Sequence, residues 1–429
     1  VTMVARNFVE VDNNILYPRI DIAGEKIGIT GMEFPAFNYL IYIVSKVFGY
    51  NHWYGRLINL LISGFGTWYF YLLIKRYFSF KTAFYATLIL LFSVWWSYAR
   101  KIMPDTFSVS LMISGIYFAS NYLENSSKKA ILHLIISSIV ICFGVLSKLP
   151  SGVLLAVVPI FLFVNRYSIS KKVILNFILI LTLIPSLFWY FYWVPYLNET
   201  YEFEHFFMGK SMIQGFNEII ELLPSVLEKF YGTSLFYIGF IIMLLGLYFS
   251  FKRKNNLLIS VFFLSFLTFG VIILKSGETF AVHTYYILPF LPIMALTAGY
   301  GLSSLKQNWI PIALVFLICS EGLLNQLADL RIPENKMAQV SLETDLDKVS
   351  NRDDLILINS GYYPTPMYIA HRKGWVSFNY NIQNKAFINE LKSKGLKHIV
   401  ILKRSFGTNI KLDYKLQFEN EDYSIYSLE

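Results

Sequence analysis

Charge is scarce in this chain. Asp, Glu, Lys and Arg together make up 15% of its 429 residues, against about 25% in an ordinary globular domain. A soluble protein of this size has too little interior to hide an apolar content of 55%. That excludes a soluble enzyme, a disordered chain and a disulfide scaffold. The only two cysteines, Cys142 and Cys319, sit inside apolar runs and behave as small buried hydrophobes, so they say nothing of redox compartment. No glycine-rich phosphate loop is present, and no initiator methionine or signal peptide heads the chain. It begins at Val1 in a polar stretch, and we expect a true N-terminus upstream of it.

Long hydrophobic runs fill the rest, with 38 Phe, 30 Tyr and a mean hydropathy of +0.49. A span needs about 20 mostly apolar residues. Ten segments qualify, at roughly 56–76, 82–100, 106–123, 130–147, 150–166, 172–194, 233–251, 256–275, 284–305 and 308–325. The apolar stretch Phe37 to Phe48 is too short to cross; with Pro35 before it and Gly49 after, it reads as an interfacial helix. The expected fold is an all-α polytopic membrane protein with a soluble C-terminal α/β domain.

Basic residues orient the spans. Five short loops carry Lys75, Arg76, Lys81, Lys128, Lys129, Arg166, Lys171, Lys172, Lys252, Arg253, Lys254 and Lys306. The opposite loops carry only Arg100, Lys101, Lys148, Lys210, Lys229 and Lys275. The first set is therefore cytoplasmic. Residues 1–55, the loop 195–232 and the C-terminal tail face outward. The net charge of +9 is largely this topology signal and calls for no nucleic acid partner. The longer, irregular segments all lie outside, where function concentrates.

Composition changes near residue 326. The last 104 residues are about 26% charged, the first 325 about 12%. We therefore divide the chain into a membrane domain, 1–325, and an outer domain, 326–429. Leu355–Ile358 and His398–Leu402 read as buried strands, Thr365–Arg372 and Asn384–Lys394 as helices, and Leu412–Leu428 as edge strands.

Candidate site residues all fall at outer span ends. Glu33 directly precedes the interfacial helix, a costly place for an unpaired carboxylate, although helix-dipole capping also accounts for it. Asp105, after Pro104, is either a helix N-cap or a membrane-edge acid beside Arg100 and Lys101. Lys148 lies in Val-Leu-Ser-Lys-Leu-Pro with no counter-charge nearby in sequence, and either snorkels or meets a phosphate. His283 opens a span and either donates to a phosphate or sugar oxygen or is an ordinary interface residue. In Tyr201–Phe207, the residues Glu202, Glu204 and His205 lack a zinc-motif spacing, and the aromatics favour an interfacial segment.

Taken in order, the motifs resemble a family. They are Ala-Arg-Asn-Phe (5–8), a Gly-rich loop (24–28), Glu-Phe-Pro (33–35), Val-Phe-Gly-Tyr-Asn-His-Trp-Tyr-Gly-Arg-Leu (47–57), Ala-Arg-Lys-Ile-Met-Pro-Asp-Thr (99–106), Gly-Val-Leu-Ser-Lys-Leu-Pro (144–150) and His-Thr-Tyr-Tyr-Ile-Leu-Pro (283–289). The chain resembles the polytopic C-type glycosyltransferases, the superfamily of protein O-mannosyltransferases and of the bacterial aminoarabinose transferase of lipid A. The resemblance implies transfer of a sugar, with inversion, from a polyprenyl-phosphate carrier to a glycolipid, glycan or protein acceptor outside the cytoplasm. It implies a cell membrane location, that of a bacterial inner membrane, with the first span missing here. Asp105 and Glu33 match the family's catalytic carboxylates. Lys148, His283, Arg56 and Arg6 are the candidates for the donor phosphate, and a divalent metal at Glu33 is left open. The family's principal acid would precede Val1 by a residue or two, so this chain is expected to have little or no activity. Phe34 stands where the family carries a lysine. Other classes compatible with the sequence are a transporter or flippase of lipid-linked glycans, a glycan ligase or polymerase, and an envelope scaffold. One-sided charges and the lack of a repeated half weigh against a transporter.

Overall fold

The computed structural model describes residues 1–125, 127–205, 209–406 and 410–428. The chain forms two compact units. One contains Val1, Glu33–Trp193 and Phe206–Ala328; the other contains Thr2–Met32, Val194–His205 and Asp329–Glu429.

The larger unit is helical. Among the described residues, five helices are long and apolar enough to cross a membrane: Tyr54–Tyr77, Lys129–Ser147, Ile169–Thr200, Asn256–Ser276 and Trp309–Leu330. A sixth results if Leu223–Ser234 and Phe236–Lys252, which meet at 92°, are one broken span. The other expected spans differ for identifiable reasons. Segment 82–100 is interrupted at Ser93, whose side chain accepts from Trp95 N and starts a new helix. Segment 284–305 begins as a 3₁₀ turn, and only Leu291–Ser303 is α-helical. Pro104–Glu124 is long enough, but Ser108, Ser110, Ser114 and Ser120 lower its apolarity; it is buried on nearly every side and needs no lipid-facing surface. Segment 150–166 is a 15-residue 3₁₀ helix, Leu149–Phe163, with Pro159 inside it. At about 2.0 Å per residue, such a helix reaches roughly 30 Å, the thickness of a bilayer core.

Small residues bring these helices together. Gly115 lies against Ile141 and Gly144 against Met112, so Pro104–Glu124 and Lys129–Ser147 pack closely. At Gly246 a Cβ would stand 1.9 Å from the Thr297 carbonyl oxygen. Close backbone approach of this kind is how membrane helices associate, since lipid supplies no hydrophobic drive between them. The short helix Ala36–Phe48 ends at Gly49, whose φ of 77° favours glycine. It buries Phe37 and Ile41 on one face, with Phe37 stacked on Phe107.

The smaller unit holds a five-stranded sheet in the order β2-β1-β3-β5-β4. The strands are β1 (Leu355–Ile358), β2 (Gly374–Val376), β3 (Leu396–Leu402), β4 (Lys415–Glu419) and β5 (Tyr423–Ser427). β1 pairs in parallel with β2 and β3; β5 runs antiparallel to β3 and β4. The C-terminal tail therefore contributes one edge strand, not two. β5 is buried along its whole length because β4 covers its other side. β2 was not anticipated: three residues starting at a glycine carry no alternation to read. Gly374 is obligatory there, since its φ is 154° and a Cβ would fall 1.8 Å from Ile356 O. Residues 2–32 join this unit through Gly24 N to Gly374 O (2.7 Å) and Gly374 N to Asp21 O (2.9 Å).

Candidate functional site

Three of the residues singled out in sequence meet at one point. Lys148 Nζ donates to Glu33 Oε1 at 2.6 Å and lies 3.9 Å from Asp105 Oδ1. The two carboxylates thus share one ammonium across sequence separations that local patterning cannot report.

Each partner is held by its own surroundings. Lys148 is the extended residue between Lys129–Ser147 and the 3₁₀ helix, with φ −162° and ψ 105°. Ser108 Oγ is hydrogen-bonded to Gly144 O and to Ser151 Oγ, both at 2.6 Å, and so fastens the Asp105 helix to both sides of that junction. Glu33 is placed by its neighbour. Phe34 N donates to Leu146 O at 3.1 Å, and the Phe34 ring sits edge-on to Trp189 at 4.9 Å. Tyr190 Oη donates to the same Leu146 carbonyl at 2.8 Å. Phe34 thus serves as an apolar anchor for the acid beside it.

Asp105 is not a helix cap. Met103 occupies the N-cap position, Pro104 the first turn, and no side-chain cap bond is made. Its residue is 5% exposed, and Oδ2 is buried with no hydrogen-bond partner among the described residues. A buried carboxylate oxygen left unpaired is expensive, so this oxygen needs a donor, which water or a ligand can supply. The loop before it is fixed by Asn59, fully buried, whose Nδ2 donates to Tyr98 O (3.0 Å) and Lys101 O (2.8 Å) while its Oδ1 accepts from Thr106 Oγ1 (3.1 Å). Sequence reading passed over Asn59, although an amide within an apolar span was itself a signal.

The charges reinforce one another. Burial alone would raise Glu33, but the Lys148 ammonium outweighs it and holds the carboxyl below its ordinary range. Burial would lower Lys148, yet Glu33 and Asp105 carry it well above the usual lysine value. His283 is held below the usual histidine range by burial, then by Lys229 and Lys148. Its ring stacks on Tyr285 at 5.1 Å, and Lys148 Nζ lies 5.7 Å from the Tyr285 ring centre. His283 is therefore one aromatic ring removed from Lys148, and Tyr285, quoted above only within the 283–289 motif, joins the site.

The remaining candidates stand elsewhere. Arg56 is exposed in the first turn of Tyr54–Tyr77; Gly55 beside it touches Ile102 of the Asp105 loop. Arg6 belongs to the smaller unit, where it binds Asp21 Oδ2 (3.0 Å) and Tyr368 O (2.9 Å). Glu202 pairs with Lys26 at 3.8 Å and His205 stacks on Phe203, while Phe206 and Phe207 lie outside the described residues. Among the described residues no group of three or more His, Cys, Asp and Glu side chains is placed to hold a metal ion. Between Glu33 and Asp105 the Lys148 ammonium takes the place a cation would fill, so the residues present do not fit a resident metal.

Comparison with known proteins gives this geometry a context. Residues 33–190 match the family model of dolichyl-phosphate-mannose-protein mannosyltransferases. No curated protein sequence matches the chain. Among solved structures, the chain is similar to the oligosaccharyltransferase AglB of Archaeoglobus fulgidus, in complex with an inhibitory peptide and a dolichol-phosphate. The TM-score is 0.59 at 14% identity, over 94% of this chain and 64% of that one. The chain thus spans about two thirds of that enzyme's length. It is also similar to ArnT of Cupriavidus metallidurans in the apo state, with a TM-score of 0.56 at 13% identity over 99% of this chain and 92% of that one. The undecaprenyl phosphate-bound form of ArnT gives 0.53 at 12% identity with the same coverage. The matched family model contains Glu33, Asp105 and Lys148, and the fold around them is similar to that of these two membrane glycosyltransferases.

Proposed function

We propose that the protein transfers a sugar from a polyprenyl-phosphate carrier to a glycolipid, glycan or protein acceptor, with inversion, on the extracytoplasmic face of a bacterial inner membrane. The observation that carries this reading is the Glu33–Lys148–Asp105 cluster, with one Asp105 oxygen buried and unpartnered. The orientation rests on the twelve basic residues in the short loops. Residues 326–429 are read as a soluble domain on the same side.

In this reading Asp105 is the base. The acceptor oxygen attacks the anomeric carbon, its proton passes to Asp105, and the bond to the carrier's phosphate oxygen breaks. Lys148 meets the charge growing on the departing phosphate. An ammonium has three N–H donors; Glu33 takes one at 2.6 Å, and Asp105 at 3.9 Å is too distant for a second hydrogen bond. Glu33 orients Lys148. Tyr285 and His283 flank it. Donors set in place before the charge develops give catalysis of this kind most of its rate enhancement.

The test supplies radiolabelled polyprenyl-phosphate sugars to membranes containing the full-length protein, with its residues upstream of Val1, and follows the label. Transfer to an acceptor of lower mobility, dependent on Asp105, is expected. Label that stays on the carrier with every sugar tried, or that crosses the membrane unreacted, would replace this reading with a carrier-binding or transport role.

A further inference from the structure

The end of the membrane unit opposite the acidic site carries a second feature. Asp105 starts the Pro104–Glu124 helix and Glu124 ends it. At 1.5 Å per residue the two lie roughly 30 Å apart, about one bilayer core. At Glu124 two guanidiniums converge: Arg76 Nε at 3.5 Å and Arg166 Nη2 at 3.1 Å. One carboxylate serves two cations, so a positive charge is left over. Arg166 lies over the rings of Tyr77 and Tyr167, at 4.9 and 4.8 Å, and its side chain is 47% exposed.

Arg76 and Arg166 also line a cavity of about 610 Å³. Apart from Asn256, Ser260 and Tyr77, its other walls are apolar, with Phe163, Leu257, Phe263 and Leu267 among them. Phe163 and Leu267 are strongly exposed at its side, where hydrocarbon would lie. A smaller cavity of about 80 Å³, entirely apolar, shares Tyr77, Ile160, Val164 and Leu257 with it and continues inward. The gap has a local cause. Leu149–Phe163 is a slim 3₁₀ helix with Pro159 inside, and side chains at i and i+3 eclipse rather than spread. It cannot fill the space between Tyr54–Tyr77 and Asn256–Ser276.

An apolar slot open sideways, capped by surplus positive charge at the membrane edge, has the chemistry of a lipid site. We propose that this groove binds one anionic phospholipid of the cytoplasmic leaflet, its phosphate at Arg166 and Arg76 and an acyl chain along Phe163, Leu257 and Phe263. The volume lies within the roughly 300–1,000 Å³ typical of small-molecule sites. Uncomplexed carboxylates do not contest the headgroup, since Glu124 is already shared by both arginines. The site is remote from the sugar-transfer cluster and does not depend on that chemistry; only the choice of leaflet rests on the proposed orientation.

The experiment titrates the detergent-purified full chain with phosphatidylglycerol, with phosphatidylcholine of identical acyl chains, and with inorganic phosphate, and reads bound species by native mass spectrometry. Phosphatidylglycerol is expected to bind at least about fivefold tighter than phosphatidylcholine, the weight of one arginine near an anionic surface. Phosphate alone should give no adduct. Arg166→Gln should bring the ratio near one. Leu267→Trp, at an exposed position, should block the groove without disturbing the core and reduce phosphatidylglycerol binding fivefold or more. Lys129→Gln, exposed at the same membrane face but not lining the groove, should leave it unchanged. Equal binding of the two lipids, or an unaltered preference in both groove variants, overturns the proposal. Equal losses in Lys129→Gln and Arg166→Gln also overturn it, by revealing diffuse surface attraction.

Discussion

Replacing Asp105 by Asn separates charge from shape at the centre of the site. A cap role would make the change nearly silent, because Asn caps helices almost as well as Asp. The structure removes that role: Met103 holds the N-cap position and no side-chain cap bond exists. What Asn loses is negative charge in the first helical turn, worth about 0.3–1 kcal/mol to the helix dipole. It also loses the 3.9 Å attraction to Lys148, which keeps its stronger partner Glu33 at 2.6 Å. The variant should therefore fold and accumulate normally. In the full-length protein, transfer from a labelled polyprenyl-phosphate sugar should fall at least a hundredfold, the order of a general-base contribution, or about 3 kcal/mol. Initial rates in membranes of matched protein content, with Lys148→Gln alongside, make the comparison. Near-normal transfer by Asp105→Asn would refute the base assignment and shift the burden to Glu33.

Other outcomes follow from the same geometry. Glu33→Gln should cost about 1–3 kcal/mol by leaving a part-buried ammonium with only its distant partner, seen as a lower melting temperature. Because the Glu33 carboxyl is held below its ordinary range, its stabilising contribution is complete above the ordinary glutamate value and is lost as pH falls through the lowered one; Glu33→Gln should flatten that acid limb of a melting-temperature profile. Phe34→Ala should remove about 1–3 kcal/mol with the Trp189 contact and raise KM for the donor as Glu33 loosens, both measurable on one preparation. Gly246→Val should abolish accumulation in the membrane, since its Cβ has no room beside Thr297 O, whereas Gly64→Ala, with nothing within 4 Å, should express normally.

The site was half legible. Glu33, Asp105, Lys148 and His283 drew attention because ionisable groups at membrane edges are costly. Their partnership was not legible, since Lys148 and Glu33 are 115 residues apart. Asp105 looked like a cap because a Pro-Asp pair before an apolar run is a local pattern; which residue adopts the cap conformation depends on how Asn59 holds the preceding loop. Arg6 looked available because Asp21 and Tyr368 reach it only through the fold of the smaller unit.

Apolar content and charge distribution were enough to establish a multi-pass membrane chain, a charged C-terminal segment and the grouping of basic loops, because those properties depend on transfer from water to lipid and add residue by residue. The strands β1 and β3 were likewise readable as short continuous apolar runs. Tertiary structure decided where helices break, because Ser93, Pro159 and the Thr284–Phe290 turn are tolerated only where neighbouring helices shelter their freed backbone groups. It also turned the tail's second strand from an edge into the sheet interior and drew residues 2–32 onto the edge at Gly374. Above all it set two acids on one ammonium, a placement made by helix packing at Gly115 and Gly144 rather than by any local preference of the residues involved.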